Sequence, residues 1–281
     1  MIICQNIDEL RKAISGLKNS SSGAVLGFVP TMGALHAGHL SLVKKAAECC
    51  DIVVVSIFVN PTQFNDKKDL DKYPRTIDSD IEKLQTTACN IVFVPSEKEI
   101  YPSGKPKYQI DLNGLDQVME GKYRPGHFDG VAMVVERFFD IVKPDKAFFG
   151  LKDFQQLAII KQMVKVRKLD VEIVPVEIAR SENGLALSSR NQLLTQDQKE
   201  DALIIYKTLM VGKEMADNNL PVEKILATMR SFFDQGNLKL EYIEIVDPRI
   251  LQTVKNAQSP MHCCIAAYCG SVRLIDNMQF S

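Results

Sequence analysis

The chain has 281 residues, of which 46% are hydrophobic and 25% charged, and its formal net charge at pH 7 is −1. This length allows one large domain or two ordinary ones with a sizeable buried core, and the near-zero charge excludes the basic footprint of a nucleic-acid-binding or membrane-surface protein. We therefore expect small-molecule partners, with no nucleic acid and no membrane. The amino terminus lacks a signal-peptide pattern and the longest apolar run is too short to cross a bilayer, which predicts a cytosolic protein.

The cysteines favour neither a disulfide framework nor a zinc ribbon, because there are seven of them and no Cys-x-x-Cys pair. The nearest approach to a metal-ligand cluster is His262-Cys263-Cys264 with Cys269. A strand at this position would point adjacent cysteines to opposite faces of the sheet. We therefore predict buried free thiols.

Apolar residues in the first part of the chain alternate between helical spacing and short apolar runs typical of buried strands. In chain order the predicted elements are a helix over 6–17, a strand over 24–29, a helix from Gly38, a strand over 52–59, a helix over 77–84, a strand over 91–94, a helix over 131–142, a strand over 146–149, a helix over 154–166 and a strand over 171–176. This alternation predicts an α/β domain over residues 1–178, a Rossmann-like doubly wound parallel sheet in which ligands bind beyond the carboxyl ends of the strands.

Three segments of this first domain lack periodicity. A Ser-rich stretch over 19–22 closes the first helix. Residues 64–76 are polar and charged and follow an Asn-Pro breaker, so their length and position favour a functional lid. Residues 101–127 hold several Gly and Pro residues and are expected to be irregular.

The pattern changes near residue 178. A loop-like segment over 181–191 precedes two helical patterns and then three strand-like runs, of which the last two are joined by a Cys-Gly-Ser turn. The helices are predicted over 196–216 and 221–233, and the strands over 239–246, 263–268 and 272–275. This order predicts a smaller α+β domain over residues 179–281.

The motif His36-Ala37-Gly38-His39 stands where the strand over 24–29 leads through a turn into a helix. Gly38 lets an anion approach the free backbone N–H groups and the positive end of the helix dipole. The two histidines, three residues apart, project from nearly the same face of the first turn. This arrangement suits a polyphosphate, and we predict that it is the centre of an ATP site.

Two other interpretations of the histidines are open. A single histidine is most often a surface residue, or a core residue whose hydrogen bonds are made within the protein. A pair of histidines equally fits two of the ligands of a zinc site. Zinc needs further ligands. His127 and His262 are the only other histidines, and neither forms a second ligand-like pair.

Further polar clusters follow other predicted strands. Lys152, in the segment 150–153, stands at a strand-to-helix turn from which a flexible cation reaches a phosphate, although a solvated lysine is the simpler interpretation. Gln63, in the segment 60–64, offers an amide to a hydroxyl or carboxylate, or is a turn residue without a role. These segments and the histidine motif all fall at the carboxyl edge of the predicted sheet, so three clusters distant in sequence converge.

Two loop segments complete the candidate set. Residues 187–191 place two hydroxyls and a guanidinium in a loop that opens the second domain, where charge-assisted bonds to a triphosphate are strong. Residues 124–127, Arg-Pro-Gly-His, either line the same cleft or form a structural turn.

The ordered motifs of the chain resemble those of the pantothenate synthetase family, the pantoate-β-alanine ligases of coenzyme A biosynthesis. The resemblance covers nearly the whole length, whereas HxGH alone marks a broader nucleotidyltransferase-like superfamily of adenylate-forming and nucleotidyl-transferring folds. The motifs are PTMGALHAGHLSLV, FVNPTQF, YPRT, RPGHFDGV, FFGLKDFQQLA, GLALSSRN and RLIDN.

The resemblance implies roles for individual residues. His39 is implied as the proton donor and His36 lies near the phosphates, with Lys152 and Arg190 as the other catalytic cations. Gln63 is implied to bind both pantoate and β-alanine, and Gln156, rather than Gln155, to bind pantoate. The implied ATP-binding residues are Met32, Gly33, Ala34, Leu35, His36, Ala37, Gly38, His39, Gly150, Leu151, Lys152, Asp153, Ala179, Leu187, Ser188, Ser189 and Arg190. Leu151 departs from the family, where many members carry Glu.

The implied reaction has two steps, in which the pantoate carboxylate attacks the α-phosphorus of ATP and β-alanine then attacks the resulting adenylate. Magnesium is expected to be held mostly by phosphates and water, with no protein ligands assigned. Similar enzymes are homodimers. One alternative is a nucleotidylyltransferase or a small aminoacyl-tRNA synthetase relative, and the near-zero charge disfavours tRNA as a substrate. The other is a catalytically silent nucleotide sensor, which the presence of both histidines with Lys152 and Arg190 disfavours.

Overall fold

The computed structural model describes residues 1–19, 23–65, 67–104, 106–255 and 260–280. Residues 20–22 of the predicted Ser-rich stretch and residue 66 of the predicted lid lie outside this part of the chain. No helix within the described ranges is both long enough and apolar enough to span a membrane.

A parallel sheet dominates the first half of the chain. Its six strands in the described residues pair in the order β1-β4-β3-β2-β5-β6, so the order reverses beside β2 as in a Rossmann-like doubly wound sheet. The strands are β1 (Ile2–Cys4), β2 (Leu26–Thr31), β3 (Ile52–Ile57), β4 (Ile91–Phe93), β5 (Lys146–Gly150) and β6 (Glu172–Val176). The fold class predicted from the alternating pattern is therefore confirmed.

Helices connect the strands and continue into the second half of the chain. In chain order they are α1 (Ile7–Asn19), α2 (Ala37–Cys49), α3 (Lys67–Lys72), α4 (Ile77–Gln85), α5 (Glu97–Ile100), α6 (Met119–Tyr123), α7 (His127–Val142), α8 (Phe154–Arg167), α9 (Gln196–Asp201), α10 (Leu203–Asp217) and α11 (Val222–Phe233). Short 3₁₀ helices form over Pro61–Gln63, Leu151–Asp153 and Ser189–Leu193.

Both faces of β2 are buried, which explains its continuous apolar sequence. Val29 packs in one cluster with Val43 of α2 and Leu84 of α4. Phe28 points to the opposite face, where its ring lies 5.6 Å from that of Phe138 on α7. The central strand is thus fixed between two helical layers, and its carboxyl end carries the His36-Ala37-Gly38-His39 turn.

The contacts divide the chain into two compact units. The first comprises residues 1–116, 124–151 and 156–177, and the second comprises 117–123, 152–155 and 178–281. Residues 117–123 and 152–155 belong to the second unit although they lie within the sequence range of the first. The units are therefore not separated at one position, and the domain boundary at residue 178 stays a prediction.

The second unit is built on an antiparallel sheet of β7 (Lys239–Val246), β8 (His262–Cys269) and β9 (Val272–Gln279). Apolar residues of α10 and α11, such as Leu209 and Ile225, pack with Ile265 of β8 in one core cluster. All seven cysteines are free thiols; Cys49 and Cys50 are partly exposed and the other five are buried.

The structure contains two short elements that the sequence did not predict, β1 and α5, and its helix α7 begins four residues before the predicted start. Other predicted elements are corrected as well. Part of the predicted lid is the helix α3, which the absence of apolar periodicity concealed, and part of the irregular segment 101–127 is α6, which is too short to show a period. The predicted helix over 196–216 is two helices separated at Ala202, where no Gly or Pro marks the break. Strand β9 runs four residues beyond the predicted end, because the buried polar residues Asp276 and Asn277 interrupt the apolar pattern.

Candidate active site

A buried carboxylate, that of Asp80, binds the backbone of the turn after β2. Gly33 and Ala34 have φ of 80° and 50°, so the chain turns sharply through the left-handed region before α2. The backbone N–H groups of Ala34 and Leu35 donate to the Asp80 carboxylate at 2.8 and 2.7 Å, and Asp80 is fully buried. Lys83 Nζ donates to the Leu35 carbonyl oxygen at 2.9 Å. Helix α4 therefore positions the turn that carries the histidine motif.

Sequence reasoning missed Asp80. The signal was its place four residues before the buried Leu84, which puts a charged residue on the buried face of an amphipathic helix. A carboxylate on such a face needs partners of its own, and the N–H groups of the turn are those partners.

His36 and His39 cap helix α2 reciprocally. His36 Nδ1 accepts from the Gly38 N–H at 3.1 Å, and the His36 N–H donates to His39 Nδ1 at 3.3 Å. The two rings lie 4.1 Å apart between centroids. Because each Nδ1 accepts a hydrogen bond, the proton of each neutral ring is on Nε2, the form that donates to an anion. The predicted juxtaposition of the two imidazoles at a helix start is confirmed by this geometry.

The segment after β3 places Gln63 beside this turn. The Gln63 side chain is buried, and its Nε2 lies 3.0 Å from Met32 Sδ. Asn60 Nδ2 donates to Gln63 Oε1 at 3.2 Å and to the Gly130 carbonyl oxygen at 3.0 Å. Burial raises the pKa of Tyr101 to about 12, so its hydroxyl stays protonated and donates to Asn60 Oδ1 at 3.1 Å. A network of buried polar groups therefore orients the Gln63 amide.

The amino-terminal end of α7 fixes the Gln63 backbone. Arg124 Nη1 and His127 Nε2 are 3.2 Å apart, so the guanidinium donates and Nε2 accepts. The His127 proton is then on Nδ1, which donates to the Gln63 carbonyl oxygen at 2.7 Å. The Arg-Pro-Gly-His motif thus holds the Gln63 backbone in place, which agrees with the structural turn, one of the two interpretations of this segment.

The side chain of Gln155 is used in hydrogen bonds within the protein, which distinguishes it from its neighbour Gln156. The Gln155 side chain is buried; its Oε1 accepts from the Glu120 N–H at 2.9 Å and its Nε2 donates to the Val118 carbonyl oxygen at 2.8 Å. These bonds tie residue 155 to the first turn of α6 and to the residue before it. They favour Gln156 as the pantoate ligand, which stays a prediction.

In the second unit, Lys152 stands in the 3₁₀ turn before α8, with its side chain 18% exposed and its Nζ 3.6 Å from Asp153 Oδ1. The Lys152 carbonyl oxygen accepts from Asn277 Nδ2 at 2.8 Å. Burial raises the pKa of Asp276, the neighbour of Asn277 on β9, and the Arg180 guanidinium offsets part of that rise.

The loop 179–190 of the second unit is internally braced. The Leu187 N–H donates to the Ala179 carbonyl oxygen at 2.9 Å, and the Ser188 hydroxyl accepts from the Arg190 N–H at 3.3 Å. Ser189 is buried and begins the 3₁₀ helix. The predicted loop is therefore an ordered hairpin whose backbone groups at 179 and 187 pair with each other.

In the first unit the structure thus brings Gln63 to Met32 and His36 to His39. The same unit contains Gly150, Leu151 and Gln156. Lys152, Asp153, Ala179 and the 187–190 segment belong to the second unit. The assignment of these residues to ATP and pantoate stays a prediction. In the described ranges no three side chains of His, Cys, Asp or Glu converge to form a metal site.

The fold and the site together define an α/β protein whose doubly wound parallel sheet carries a His-x-Gly-His turn at the start of the helix after a central strand. The family profile described as pantoate-beta-alanine ligase matches residues 2–279. The chain belongs to this family of ligases, and it is an enzyme of pantothenate synthesis.

Relatives and solved structures agree with this membership. The chain is 46% identical over 282 residues to a pantothenate synthetase of Bacteroides fragilis and 48% identical over 283 residues to one of Phocaeicola vulgatus, with 100% of this chain and 99% of each relative covered. A pantothenate synthetase structure from Thermus thermophilus superimposes with a TM-score of 0.93 at 36% identity, covering 100% of this chain and 99% of that one. A Francisella tularensis pantoate-beta-alanine ligase, described as complexed with beta-gamma ATP and beta-alanine, gives a TM-score of 0.81 at 39% identity, with coverage of 100% and 98%.

Proposed function

We propose that this enzyme condenses pantoate with β-alanine at the expense of ATP, through a pantoyl-adenylate intermediate, with release of AMP and pyrophosphate. The observation that carries the proposal is the reciprocal cap of His36 and His39 at the start of α2, with Gln63 beside it. The Francisella tularensis relative, whose complex contains an ATP compound and β-alanine, supports the choice of substrates.

The first step forms the mixed anhydride. A pantoate carboxylate oxygen attacks the α-phosphorus, the bond from that phosphorus to the bridging oxygen breaks, and pyrophosphate leaves with the electron pair. Negative charge grows on the leaving group. His36 and His39 with protonated Nε2 atoms, together with the positive end of the α2 dipole, are suited to stabilise that charge, and His39 is the proposed proton donor.

Gln63 and Gln156 are proposed to hold the carboxylic substrate. The Gln63 amide is oriented by Asn60 and Met32, so a substrate meets a preorganised donor and acceptor rather than a mobile side chain. In the second step the β-alanine amine attacks the adenylate carbonyl carbon, the bond from that carbon to the phosphate oxygen breaks, and AMP leaves. Gln63 is proposed to contact this second substrate as well.

Lys152 and Arg190 are the proposed cations for the phosphates, and the remaining residues of the ATP set supply backbone groups. Lys152 is a flexible point charge, whereas the Arg190 guanidinium gives bidentate bonds to phosphate oxygens. Since the described residues offer no cluster of three protein ligands, Mg²⁺ is proposed to arrive as part of the magnesium complex of ATP, as a component of the substrate. The homodimer, the cytosolic location and a lid function for residues 64–76 remain predictions.

Exchange of labelled pyrophosphate into ATP tests the adenylate mechanism. In the absence of β-alanine, we expect exchange that depends on pantoate, because formation of the adenylate is reversible and precedes the amine step. Pantothenate synthesis that yields ADP and phosphate, or a complete lack of exchange in an enzyme that makes pantothenate, would contradict the proposal.

A further inference from the structure

Two consecutive polar residues of strand β9, Asp276 and Asn277, are buried at 4% and 3% exposure. They are the last residues of the motif Arg-Leu-Ile-Asp-Asn over 273–277, for which the reaction above has no use. Successive side chains of a strand point to opposite faces, so both faces of the sheet bury a polar group here. Buried polar groups require partners, and those partners reveal what the pair does.

Asn277 connects strand β8 to the Lys152 turn. Its Nδ2 donates to the Lys152 carbonyl oxygen at 2.8 Å, and its Oδ1 lies 2.8 Å from His262 Nε2. A carbonyl oxygen only accepts, so the amide nitrogen of Asn277 must face Lys152 and its oxygen must face His262. His262 therefore carries its proton on Nε2, and the orientation of the whole chain of bonds is determined.

His262 also contacts the Lys152 turn through a second residue, Phe154. Its ring stacks on that of Phe154 with centroids 3.7 Å apart and planes 5° apart. Phe154 begins α8 two residues after Lys152. The turn that bears Lys152 and Asp153 is thus fixed on both sides, by the amide of Asn277 and by the ring of His262.

Asp276 fixes the loop 179–190 in the same way. Its carboxylate accepts a bidentate pair of bonds from the Arg180 guanidinium at 2.6 and 2.9 Å. Arg180 Nη1 also donates to the Gly184 carbonyl oxygen at 3.0 Å, and its Nη2 donates to the Asn277 carbonyl oxygen at 3.3 Å. Arg180 lies next to Ala179, whose carbonyl oxygen accepts from Leu187. The carboxylate thereby holds the base of the hairpin.

We propose that Asp276 and Asn277 are positioning residues that set the Lys152 turn and the 179–190 hairpin in the mutual geometry needed to bind the ATP phosphates. The inference rests on the proposed function, because it needs Lys152 and the hairpin to contact ATP. Asp276 and Asn277 are proposed to act through Arg180 and the Lys152 turn rather than on the substrate itself. Because the two residues are neighbours on β9, a displacement of either one is expected to move the Lys152 turn and the 179–190 hairpin together.

Asn277→Asp tests the proposal with a change of one atom. The new oxygen faces the Lys152 carbonyl oxygen, and two acceptors repel each other, so the turn must move. We expect kcat for pantoate-dependent pyrophosphate exchange to fall about 10²-fold, the scale of a displacement of about 1 Å at a catalytic group. Asn277→Ala, which removes the donor without adding charge, should show a smaller loss. Asn218→Asp is the matched control, because Asn218 Nδ2 also donates to a backbone carbonyl oxygen, that of Glu214, and it should retain the wild-type kcat.

A double-mutant cycle with Lys152→Ala separates positioning from a merely structural role. If Asn277 acts through Lys152, Asn277→Asp should lower kcat much less in the Lys152→Ala background than in the wild type. The inference would be overturned if Asn277→Asp lowered kcat by the same factor in the Lys152→Ala background as in the wild type. A wild-type kcat in the single variant Asn277→Asp would also overturn it. Asn277→Ala takes the place of Asn277→Asp in the cycle if circular dichroism shows that the Asp variant is unfolded. Failure of the proposed function itself has a different readout, because the wild-type enzyme would then show no pantoate-dependent exchange.

Discussion

Gly130 and Thr62 approach so closely that a Cβ atom at position 130 would stand 2.5 Å from the Thr62 carbonyl oxygen and 2.8 Å from the Gln63 Cα. Real Cβ atoms do not tolerate such distances, and the atoms they would meet belong to the backbone. The helix α7 thus packs directly on the segment that carries Gln63. Any side chain at position 130 must push that segment away.

Replacing Gly130 with Ala should therefore impair catalysis as well as stability. We expect the free energy of unfolding to fall by about 1–3 kcal/mol, as for other overpacked sites, and kcat/KM for pantoate to fall about 10²-fold as Gln63 moves. Denaturant unfolding and steady-state kinetics measure the two effects. Gly16→Ala in α1 is the control, because a Cβ there meets nothing within 4 Å, and it should stabilise the helix slightly. An unchanged KM and kcat in Gly130→Ala would show that Gln63 does not depend on this contact.

Asp80→Asn should loosen the turn that carries the histidine motif. The amide nitrogen of Asn cannot accept from the N–H groups of Ala34 and Leu35, so one charge-assisted bond is lost, at a cost of about 1.5–3 kcal/mol in unfolding free energy. We also expect a higher KM for ATP, read from initial rates. Asp78→Asn, an exposed change in the first turn of the same helix, is the control and should alter neither quantity. Equal stability of the two variants would refute the role assigned to Asp80.

Alanine at two adjacent glutamines should give opposite results. Gln155→Ala leaves the Glu120 N–H and the Val118 carbonyl oxygen without their side-chain partner and should lower the free energy of unfolding by about 1–3 kcal/mol. Gln156→Ala should instead raise KM for pantoate with little change in stability. Thermal unfolding and kinetics on both variants decide the matter. A KM effect confined to Gln155→Ala would reverse the assignment of the pantoate ligand.

Stability should depend on pH through His262. Burial lowers the pKa of His262 below its ordinary value, and the bond to Asn277 offsets part of this shift. The unfolded chain then binds a proton at a higher pH than the folded chain does. The free energy of unfolding therefore falls as pH drops below about 6.5, by at most about 1.4 kcal/mol per pH unit for one group.

The comparison that isolates this effect is wild type against His262→Gln, which keeps a donor for Asn277 but does not titrate. Urea unfolding at a series of pH values between about 7 and about 5, the range in which an ordinary histidine gains its proton, should show a steeper loss for the wild type. Parallel curves would mean that His262 binds its proton equally well in both states.

Much of this fold follows from local pattern, and the residues that escaped prediction share one physical property. The β-branched run of β3 and the turn before α2 are encoded by neighbours in sequence, which is why the parallel sheet and the pairing of two histidines at the start of α2 were predictable. Asp80, Asn60 and Asn277 act through bonds to residues distant in the chain. Several of their partners are backbone N–H and carbonyl groups, which every residue carries, so the sequence does not identify those partners. For Asp80 the sequence shows only that the residue falls on the buried face of α4.

The same reasoning explains the errors in the second half of the chain. Asp276 and Asn277 are polar residues inside a strand, and a pattern of apolar alternation ends where they begin, although the backbone continues to pair as far as Gln279. The helix break at Ala202 has no Gly or Pro. The sequence therefore carries no signal that separates α9 from α10.

The position of β2 in the sheet also constrains when the histidine turn can form during synthesis. One neighbour of β2 follows it closely in the chain, but the other, β5, does not begin until Lys146, and the Leu26 N–H donates to Asp145, 119 residues away. A nascent chain must therefore emerge from the ribosome past its midpoint before this strand has both partners. Until then the turn proposed to bind phosphate lies at an open edge of the sheet, so we expect nucleotide affinity to be acquired late in translation.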